Sequence, residues 1–386
     1  MRIRSVSYKE KERVLMRALA RARSLSRPEF VGSAIAPFVG RFGYPNVSVG
    51  VLSPAVHDDK ISRYDDPKGW AKGGYGISRI ASLRAGVVNS SFSSNVRNFG
   101  KLVGVAQEVA LAENVVDVDV VLEKTPTPAF SSSKWSSPIG AKARVKKLSL
   151  ENNAKVSSRV ERVVSDDLSA GSALRILYDK GVDENRLSRM FSVGVFGKKP
   201  SLVPTRWSIT ATDDSISEGL LSKVRDFQVG DCRVNVGCYL GNHYLIVFLP
   251  RPWSYELFEL YANPGLLEYS SDFELFSGRK SYAHNCAGGY YSVRLAILEH
   301  MCRLKRQNCV IAIRLISDDY FLPLGVWVTR EAARKALEKR SVSFSDESLA
   351  LEYVKKWARV KFGVDLSHIL NKSVVLGQRS LRGWLG

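Results

Sequence analysis

The alternation of apolar and polar positions divides the chain into helical and extended segments. Apolar residues recur at spacings of three and four over 9–25, 77–85 and 99–112, and again through 156–192, which predicts helices. Two-residue alternation predicts strands in VSVGV, within the turn-rich stretch 38–54, and in DVDVVL from Asp117. Extended patterns dominate after Gly194, in CRVNVGCYL, NHYLIVFLP and SYELFELY.

The last third of the chain returns to a mixture of patterns. We predict helices over 290–306, 329–340 and 346–362, and a buried strand over 309–316. Strands followed by a helix, a strand and further helices are typical of the α+β class. The fold class predicted from the sequence is therefore α+β, with an antiparallel sheet in the second half.

A chain of 386 residues suits two domains. We expect a helix-rich N-terminal domain with short strands over 1–195 and a C-terminal mixed α/β domain over 196–370. An exposed tail is expected over 371–386. The Pro- and Ser-rich stretch 125–138 indicates an exposed connection within the first domain.

The charge balance is strongly basic, with 57 Lys and Arg against 38 Asp and Glu and a net charge of +19. Such a chain attracts polyanions in a salt-dependent way, so nucleic acid is the first candidate partner. Basic proteomes and thermophile surfaces also raise Lys and Arg, so the charge identifies neither sequence nor strandedness.

Composition also bounds the cellular setting. No apolar run is long enough to span a membrane and the first residues lack a secretory pattern, so we expect a cytoplasmic, nucleoid-associated protein and no membrane partner. The five cysteines include no C-x-x-C pair, so we predict no metal site. No cofactor is assigned.

One candidate ligand site follows from RWSITAT over 206–212, interpreted as a strand. Alternation would place four polar side chains on one face, and a guanidinium with a row of hydroxyls suits phosphate or carboxylate oxygens. The other interpretation is an ordinary solvated sheet face. The residues are Arg206, Ser208, Thr210 and Thr212, with Lys198 and Lys199 as neighbours.

Two further features admit both a functional and a structural interpretation. Asp213 and Asp214 suit Mg²⁺ binding or general-base chemistry, but Ser215–Glu218 has the spacing of a capping box that would begin a helix there. Gly288 and Gly289 precede a predicted helix, with Arg294 one turn inside it. Free amides there could bind an anion, or the glycines could only supply conformational freedom.

The last residues, QRSLRGWL from Gln378, combine Gln with an aliphatic, an aromatic and a further apolar residue at fixed spacing. Leu381, Trp384 and Leu385 stand at i, i+3 and i+4, so one helical turn points all three into one apolar pocket. Gln378 can hydrogen-bond upstream of that turn. The alternative is a last turn packed on the domain.

Several blocks resemble the archaeal Nre family of DNA-repair proteins, from about Phe38 onwards. They include VGRFGYPNVSVG, DDPKGW, KKPSLVPTRWSITATDD, GNHYLIVFLPRPWSYELFE, GRKSYAHNCAGGYYSVRLAILE and PLGVWVTREAARKAL. The resemblance implies a role in DNA repair and a tail that binds the replication sliding clamp (PCNA). The family pattern includes a Cys-rich, zinc-binding N-terminal segment in many relatives, whereas this chain has no cysteine before Cys232. The resemblance therefore does not carry over any function tied to that segment.

We therefore expect a repair protein that binds DNA through a basic surface and the clamp through Gln378, Leu381, Trp384 and Leu385. The alternative is an enzyme acting on nucleic acid or nucleotides, with a polar pocket around Arg206, Asp213 and Asp214. A carboxylate or metal converging beside Arg206 would favour the alternative.

Overall fold

The computed structural model describes residues 6–127, 140–263, 265 and 268–378, and it confirms the α+β class. Helices lie over each of the segments 9–25, 77–85, 99–112, 156–192, 290–306, 329–340 and 346–362 for which the spacing of apolar residues predicts them. The helices are α1 (Tyr8–Leu25), α2 (Pro67–Lys72), α3 (Ile77–Ala85), α4 (Lys101–Leu111), α5 (Ser158–Val164), α6 (Ala170–Asp179), α7 (Glu184–Ser192), α8 (Thr205–Val224), α9 (Ala287–Leu304), α10 (Trp327–Glu338), α11 (Glu347–Phe362), α12 (Ser367–Asn371) and α13 (Val374–Gly377). None of the helices in the described ranges is long and apolar enough to cross a membrane.

The strands form two sheets. They are β1 (Glu29–Ser33), β2 (Ala36–Val39), β3 (Asn46–Ser53), β4 (Val88–Asn95), β5 (Asp117–Leu122), β6 (Lys142–Leu150), β7 (Arg233–Tyr239), β8 (Asn242–Leu249), β9 (Ser254–Tyr261), β10 (Tyr269–Glu274), β11 (Cys309–Ile316) and β12 (Val342–Ser343). A compact N-terminal unit comprises Tyr8–Ile216 and Leu322–Leu324. A C-terminal unit comprises Ser217–Phe321, the described residues from Gly325 onwards and the two described residues before Tyr8, so the division falls inside α8.

The sheet of the N-terminal unit has the order β1-β5-β6-β4-β3-β2. All neighbours pair antiparallel except β4 and β6, which are parallel. Strand β6 was not predicted from the sequence, because Lys and Arg alternate with its apolar residues. The structure explains that alternation, since Ala143, Val145 and Leu148 are buried while the charged residues between them are exposed.

The sheet of the C-terminal unit has the order β10-β9-β11-β8-β7-β12 and is antiparallel except for the parallel pair β9 and β11. Leu240 and Gly241 form the two-residue turn between β7 and β8, with φ values of 49° and 73°. Positive φ at both central residues matches the right-handed twist of the flanking strands. The turn therefore sets the register in which Tyr239 pairs with Asn242.

Helices cover both faces of this second sheet. On one face, apolar side chains of α11, α12 and α13, including Val354, Phe362 and Val375, pack with Leu245, Val247 and other strand residues. On the opposite face α9 packs against α10, which lies on β7 and β8. Burial on both faces explains why β8 and β11 read as nearly continuous apolar runs in the sequence.

Candidate nucleic-acid interface

The prediction of a strand over 206–212 was wrong, because this segment opens α8 (Thr205–Val224). A helix turns about 100° per residue, so alternate residues no longer share a face. Arg206 is exposed, whereas Ser208, Thr210 and Thr212 are buried. The hydroxyls of Ser208 and Thr210 donate to the carbonyls of Thr205 and Arg206, at 3.0 and 3.2 Å, respectively. The predicted polar row therefore does not exist as one surface.

Asp213 and Asp214 lie inside α8, so the predicted helix start at Ser215 was also wrong. Seven residues of helix separate Asp213 from Arg206, a rise of about 10 Å. Asp213 is buried while Arg206 is exposed. Asp213 therefore does not place a carboxylate beside Arg206, which is the arrangement that would favour an enzyme.

Arg206 belongs instead to a surface built from three segments of the N-terminal unit. The backbone N–H of Val96, just after β4, donates to the carbonyl of Pro45 at 2.9 Å, and the N–H of Leu202 donates to the carbonyl of Val96 at 2.9 Å. At the end of β2, the N–H of Val39 donates to the hydroxyl of Thr205 at 2.8 Å. These bonds bring together the segments 40–46, 94–101 and 197–207.

Three large aromatic rings are exposed on these segments. Phe42 is 78% exposed, Tyr44 58% and Trp207 50%. The ring centroids of Tyr44 and Trp207 are 6.5 Å apart, with an angle of 48° between the ring planes. We call Phe42, Tyr44 and Trp207 the aromatic surface. Exposed apolar side chains in a group, rather than singly, are typical of a binding site.

All charged residues in the three segments that carry the aromatic surface are basic. Segments 40–46, 94–101 and 197–207 contain six Lys and Arg residues and no Asp or Glu. Lys198 is paired with Asp167, at 3.0 Å between exposed groups. Within the described part of the chain, the other five form no ion pair; they are Arg41, Arg97, Lys101, Lys199 and Arg206.

Some arginines elsewhere in the same unit are paired internally. Asp65, in DDPKGW, forms ion pairs with Arg84 and, at 2.6 Å, with Arg189. Burial alone would raise the pKa of Asp65, but the charges of the two arginines outweigh burial and lower that pKa. This cluster holds α3 and α7 together, so DDPKGW has a structural role. The five unpaired cations around the aromatic surface have no such internal ion pair, so their charges are open to an anionic ligand.

The backbone that carries Phe42 and Tyr44 is held by hydrogen bonds. The N–H of Asn46 donates to the carbonyl of Gly43 at 2.8 Å, and the N–H of Gly40 to the carbonyl of Ser48 at 2.7 Å. Gly43 has a φ of 84°, a conformation that glycine adopts without strain. RFGYPN, which lies in the stretch predicted to be rich in turns, thus presents two aromatic side chains on a fixed turn around Gly43.

Gly288, Gly289 and Arg294 belong to the C-terminal unit and are surrounded by carboxylates. Helix α9 begins at Ala287, three residues earlier than predicted, so the glycines lie within its first turn. A Cβ on Gly289 would stand 2.3 Å from Oε1 of Glu259, and the N–H of Cys286 donates to Asp272 at 2.8 Å. Arg294 is buried against Glu274, at 2.9 Å. Carboxylates at this helix start make it unsuited to an anion.

Ser33, His57 and Asp117 lie together without forming an activated nucleophile. Nδ1 of His57 is 2.7 Å from Asp117, but the hydroxyl of Ser33 donates to Asp117 at 2.7 Å rather than to the imidazole. Nε2 of His57 faces Asp59 at 3.1 Å. Hydrogen bonds to Asp117 and then Asp59 raise the pKa of His57. Nucleophilic catalysis needs a base that takes the hydroxyl proton, and this geometry does not provide one.

Neither a metal centre nor the clamp-binding turn is seen in the described ranges. No group of three or more His, Cys, Asp or Glu side chains there could hold a metal ion. Gln378 is exposed and follows directly on α13. Leu381, Trp384 and Leu385 lie outside the described residues.

Comparison with known proteins covers nearly the whole chain. Residues 11–267 match the family model described as "Archaeal Nre, N-terminal" and residues 274–384 match "Archaeal Nre, C-terminal". No solved structure is significantly similar to the chain.

Individual relatives are similar over most of their length. A protein named DNA repair protein NreB, from Archaeoglobus fulgidus, is 33% identical over 361 residues, 90% of each chain. DNA repair protein NreA of Haloferax volcanii is 34% identical over 319 residues, which cover 78% of this chain and 76% of the relative. DNA repair protein NreA of Archaeoglobus fulgidus is 31% identical over 325 residues, 81% of each chain. Two matching family models and full-length relatives above 30% identity show that the chain belongs to the archaeal Nre family.

Proposed function

We propose that this chain is a DNA-repair protein that binds DNA at the aromatic surface and its surrounding cations. We further propose that it is recruited to the replication sliding clamp (PCNA) through Gln378, Leu381, Trp384 and Leu385. The role in repair is supported by the relatives, which are named DNA repair proteins.

One observation carries the DNA-binding proposal: exposed aromatic rings stand among six basic residues, five of which have no acidic partner in the described part of the chain. Each Lys or Arg that contacts a phosphate releases condensed counterions, which makes binding favourable at low salt. An aromatic ring adds contact with sugar or base.

The direct test removes the cations and keeps the fold. A triple variant with Arg41→Gln, Arg97→Gln and Arg206→Gln is compared with the wild type for binding of labelled DNA at several salt concentrations. Loss of three phosphate contacts is expected to weaken binding at least tenfold at low salt and to lower the slope of log affinity against log salt by about two to three.

A matched control carries the same charge change on another surface of the same unit. Arg13, Arg17 and Arg23 are exposed on α1, and their triple replacement by Gln also removes three charges. We expect the control to bind nearly as the wild type does. Equal losses in both variants would mean that net charge, not this surface, determines binding, and absence of DNA binding at low salt would overturn the proposal.

Recruitment to the clamp is supported by residue spacing. Leu381, Trp384 and Leu385 recur at i, i+3 and i+4, with Arg379 before Leu381 and Arg382 after it. Such a turn places its aromatic and aliphatic side chains in one groove of the partner, while the arginines raise the rate of association with an acidic surface.

A further inference from the structure

We infer that the aromatic surface binds unpaired DNA bases, so that its ligand is single-stranded DNA rather than intact duplex. The inference rests on the DNA binding proposed above and adds the class of DNA. It is carried by the exposure, spacing and fixed backbone of Phe42, Tyr44 and Trp207.

The exposed ring faces can be reached by unpaired bases and not by bases inside a duplex. In a duplex both faces of each internal base are covered by its neighbours, and a protein reads only the groove edges. A base in single-stranded DNA can present its face, and stacking on an aromatic ring then covers both partners. Phe42, Tyr44 and Trp207 each leave half or more of the side chain uncovered, which suits stacking and not groove reading.

Tyr44 and Trp207 together form one platform on which a base can stack. Their ring centroids lie 6.5 Å apart with an angle of 48° between the ring planes, which is the spacing of two rings in direct contact. A base therefore stacks on the outer face of one ring and not between the two rings.

The supports of the rings are already in place. Asn46 bonds to Gly43 across the turn, and Val96 bonds to Pro45 beside Tyr44. Trp207 lies in the first turn of α8, whose first residue, Thr205, accepts a hydrogen bond from the N–H of Val39. A backbone ordered before binding loses little entropy when the ligand arrives, which strengthens a contact made by few side chains.

The cations lie where a single strand continues beyond the stacked base. Arg41 stands next to Phe42, with its guanidinium carbon 4.8 Å from the ring centroid, and Arg206 precedes Trp207. Cations adjacent in sequence to two of the stacking rings can hold phosphates of flanking nucleotides. The surface thus offers rings to the bases of a single strand and cations to the phosphates of the same strand.

The test compares one oligonucleotide as a single strand and as a closed-end duplex of the same sequence. Wild-type protein is expected to bind the single strand at least about tenfold more tightly, given the usual strength of base–aromatic stacking. Tyr44→Ala and Trp207→Ala are each expected to weaken single-strand binding by roughly five- to hundredfold and to leave duplex binding unchanged. Tyr44→Phe and Trp207→Phe keep a ring and should retain most of the affinity.

Stacking itself is read with 2-aminopurine placed in the single strand, because its fluorescence changes when the base stacks. We expect the change with wild-type protein and with both Phe variants, and not with Tyr44→Ala. Tyr261→Ala is the matched control, since Tyr261 is 57% exposed in the other unit and should alter neither affinity nor fluorescence.

The outcomes separate the two proposals. Equal affinity for both DNA forms, or Ala variants that bind single strands as well as the Phe variants do, would overturn the inference and leave DNA binding in place. Failure to bind either form would overturn both. The inference is supported if the wild type prefers the single strand and if this preference is lost in the Ala variants but kept in the Phe variants.

Discussion

The hydroxyl of Ser373 donates a hydrogen bond of 2.5 Å to the buried carboxylate of Glu256 in β9. Ser373 precedes α13 and also accepts a bond from the N–H of Leu376 at 3.1 Å. The N–H groups of Val374 and Val375 point to the same carboxylate, at 3.4 and 3.2 Å. A side chain of the sheet thus satisfies the free donors at the start of α13, and Gln378 follows from a fixed point.

We expect Ser373→Ala to destabilise the protein by about 1–3 kcal/mol, because it removes a hydrogen bond to a buried charged group. The measurement is urea unfolding followed by circular dichroism. Ser348→Ala is the matched control: Ser348 makes a 2.6 Å bond to Asp346 at an exposed position, and its loss should cost less than about 0.5 kcal/mol. Equal costs would show that burial of Glu256 does not matter.

The pH dependence of stability provides a second test of Glu256. Burial raises the pKa of this carboxyl, although the bonds from Ser373, Val375 and Val374 act in the opposite direction. A raised pKa in the folded state means that stability is fully present below the unfolded pKa of about 4.3 and is lost as pH rises through the folded pKa. Relative to Glu256→Gln, the wild type should therefore lose stability over that interval; a constant difference would contradict the raised pKa.

Asp65→Asn should destabilise the N-terminal unit by about 3–5 kcal/mol, since it leaves Arg84 and Arg189 without their shared anion. Because the folded pKa of Asp65 is lowered, its stabilisation is present above about pH 3.9 and is lost as pH falls through the folded pKa. Thermal unfolding against pH measures both. Asp167→Asn breaks only the exposed pair with Lys198 and should cost less than about 1 kcal/mol.

Two glycines in helices should respond to alanine in opposite ways. In Gly289→Ala the new Cβ would stand 2.3 Å from Glu259, which is itself held by Arg314 at 2.6 Å, so we expect a loss of about 1–3 kcal/mol. Gly104 in α4 has no atom within 4 Å of that position, and Gly104→Ala should stabilise by up to about 1 kcal/mol. Denaturant midpoints of the two variants decide this, and a tolerated Gly289→Ala would show that Glu259 can move.

Trp384→Ala and Leu381→Ala should each cost about 2–4 kcal/mol of binding to the purified sliding clamp, because they remove the anchors of the proposed turn. That corresponds to roughly a thirtyfold or larger loss of affinity. Calorimetry measures binding, and a thermal melt on the same proteins should show little change. Arg382→Ala is the control and should affect mainly the association rate. Intact binding with a lowered melting temperature would instead indicate a turn packed on the domain.

Local pattern alone determined most of the regular elements. The three- and four-residue spacing placed α3 at Ile77–Ala85 without error, and α1 and α11 to within a residue at each end. The continuous apolar runs of β8 and β11 were equally clear. These elements bury a large apolar surface, so the periodicity of their side chains is set by the core itself.

The start of α8 was decided by tertiary structure. β-Branched residues and alternating polarity in RWSITAT favour a strand locally. Burial of Ser208 and Thr210 is possible because each hydroxyl bonds to a carbonyl of its own helix, which satisfies a polar group that would otherwise oppose burial. Polarity in the sequence therefore did not indicate exposure.

The aromatic surface likewise could not be found by pattern. Residues 40–46 were correctly expected to form turns, and Trp207 was assigned to the apolar side of a strand, so nothing connected the two segments. Contact between Tyr44 and Trp207 depends on bonds that join β2 to α8 and β4 to both loops. The sequence by itself determined the charge, the family blocks and the elements that bury a core. The fold alone decided which exposed rings and cations meet, because residues far apart in the chain are brought together only by long-range packing and hydrogen bonds.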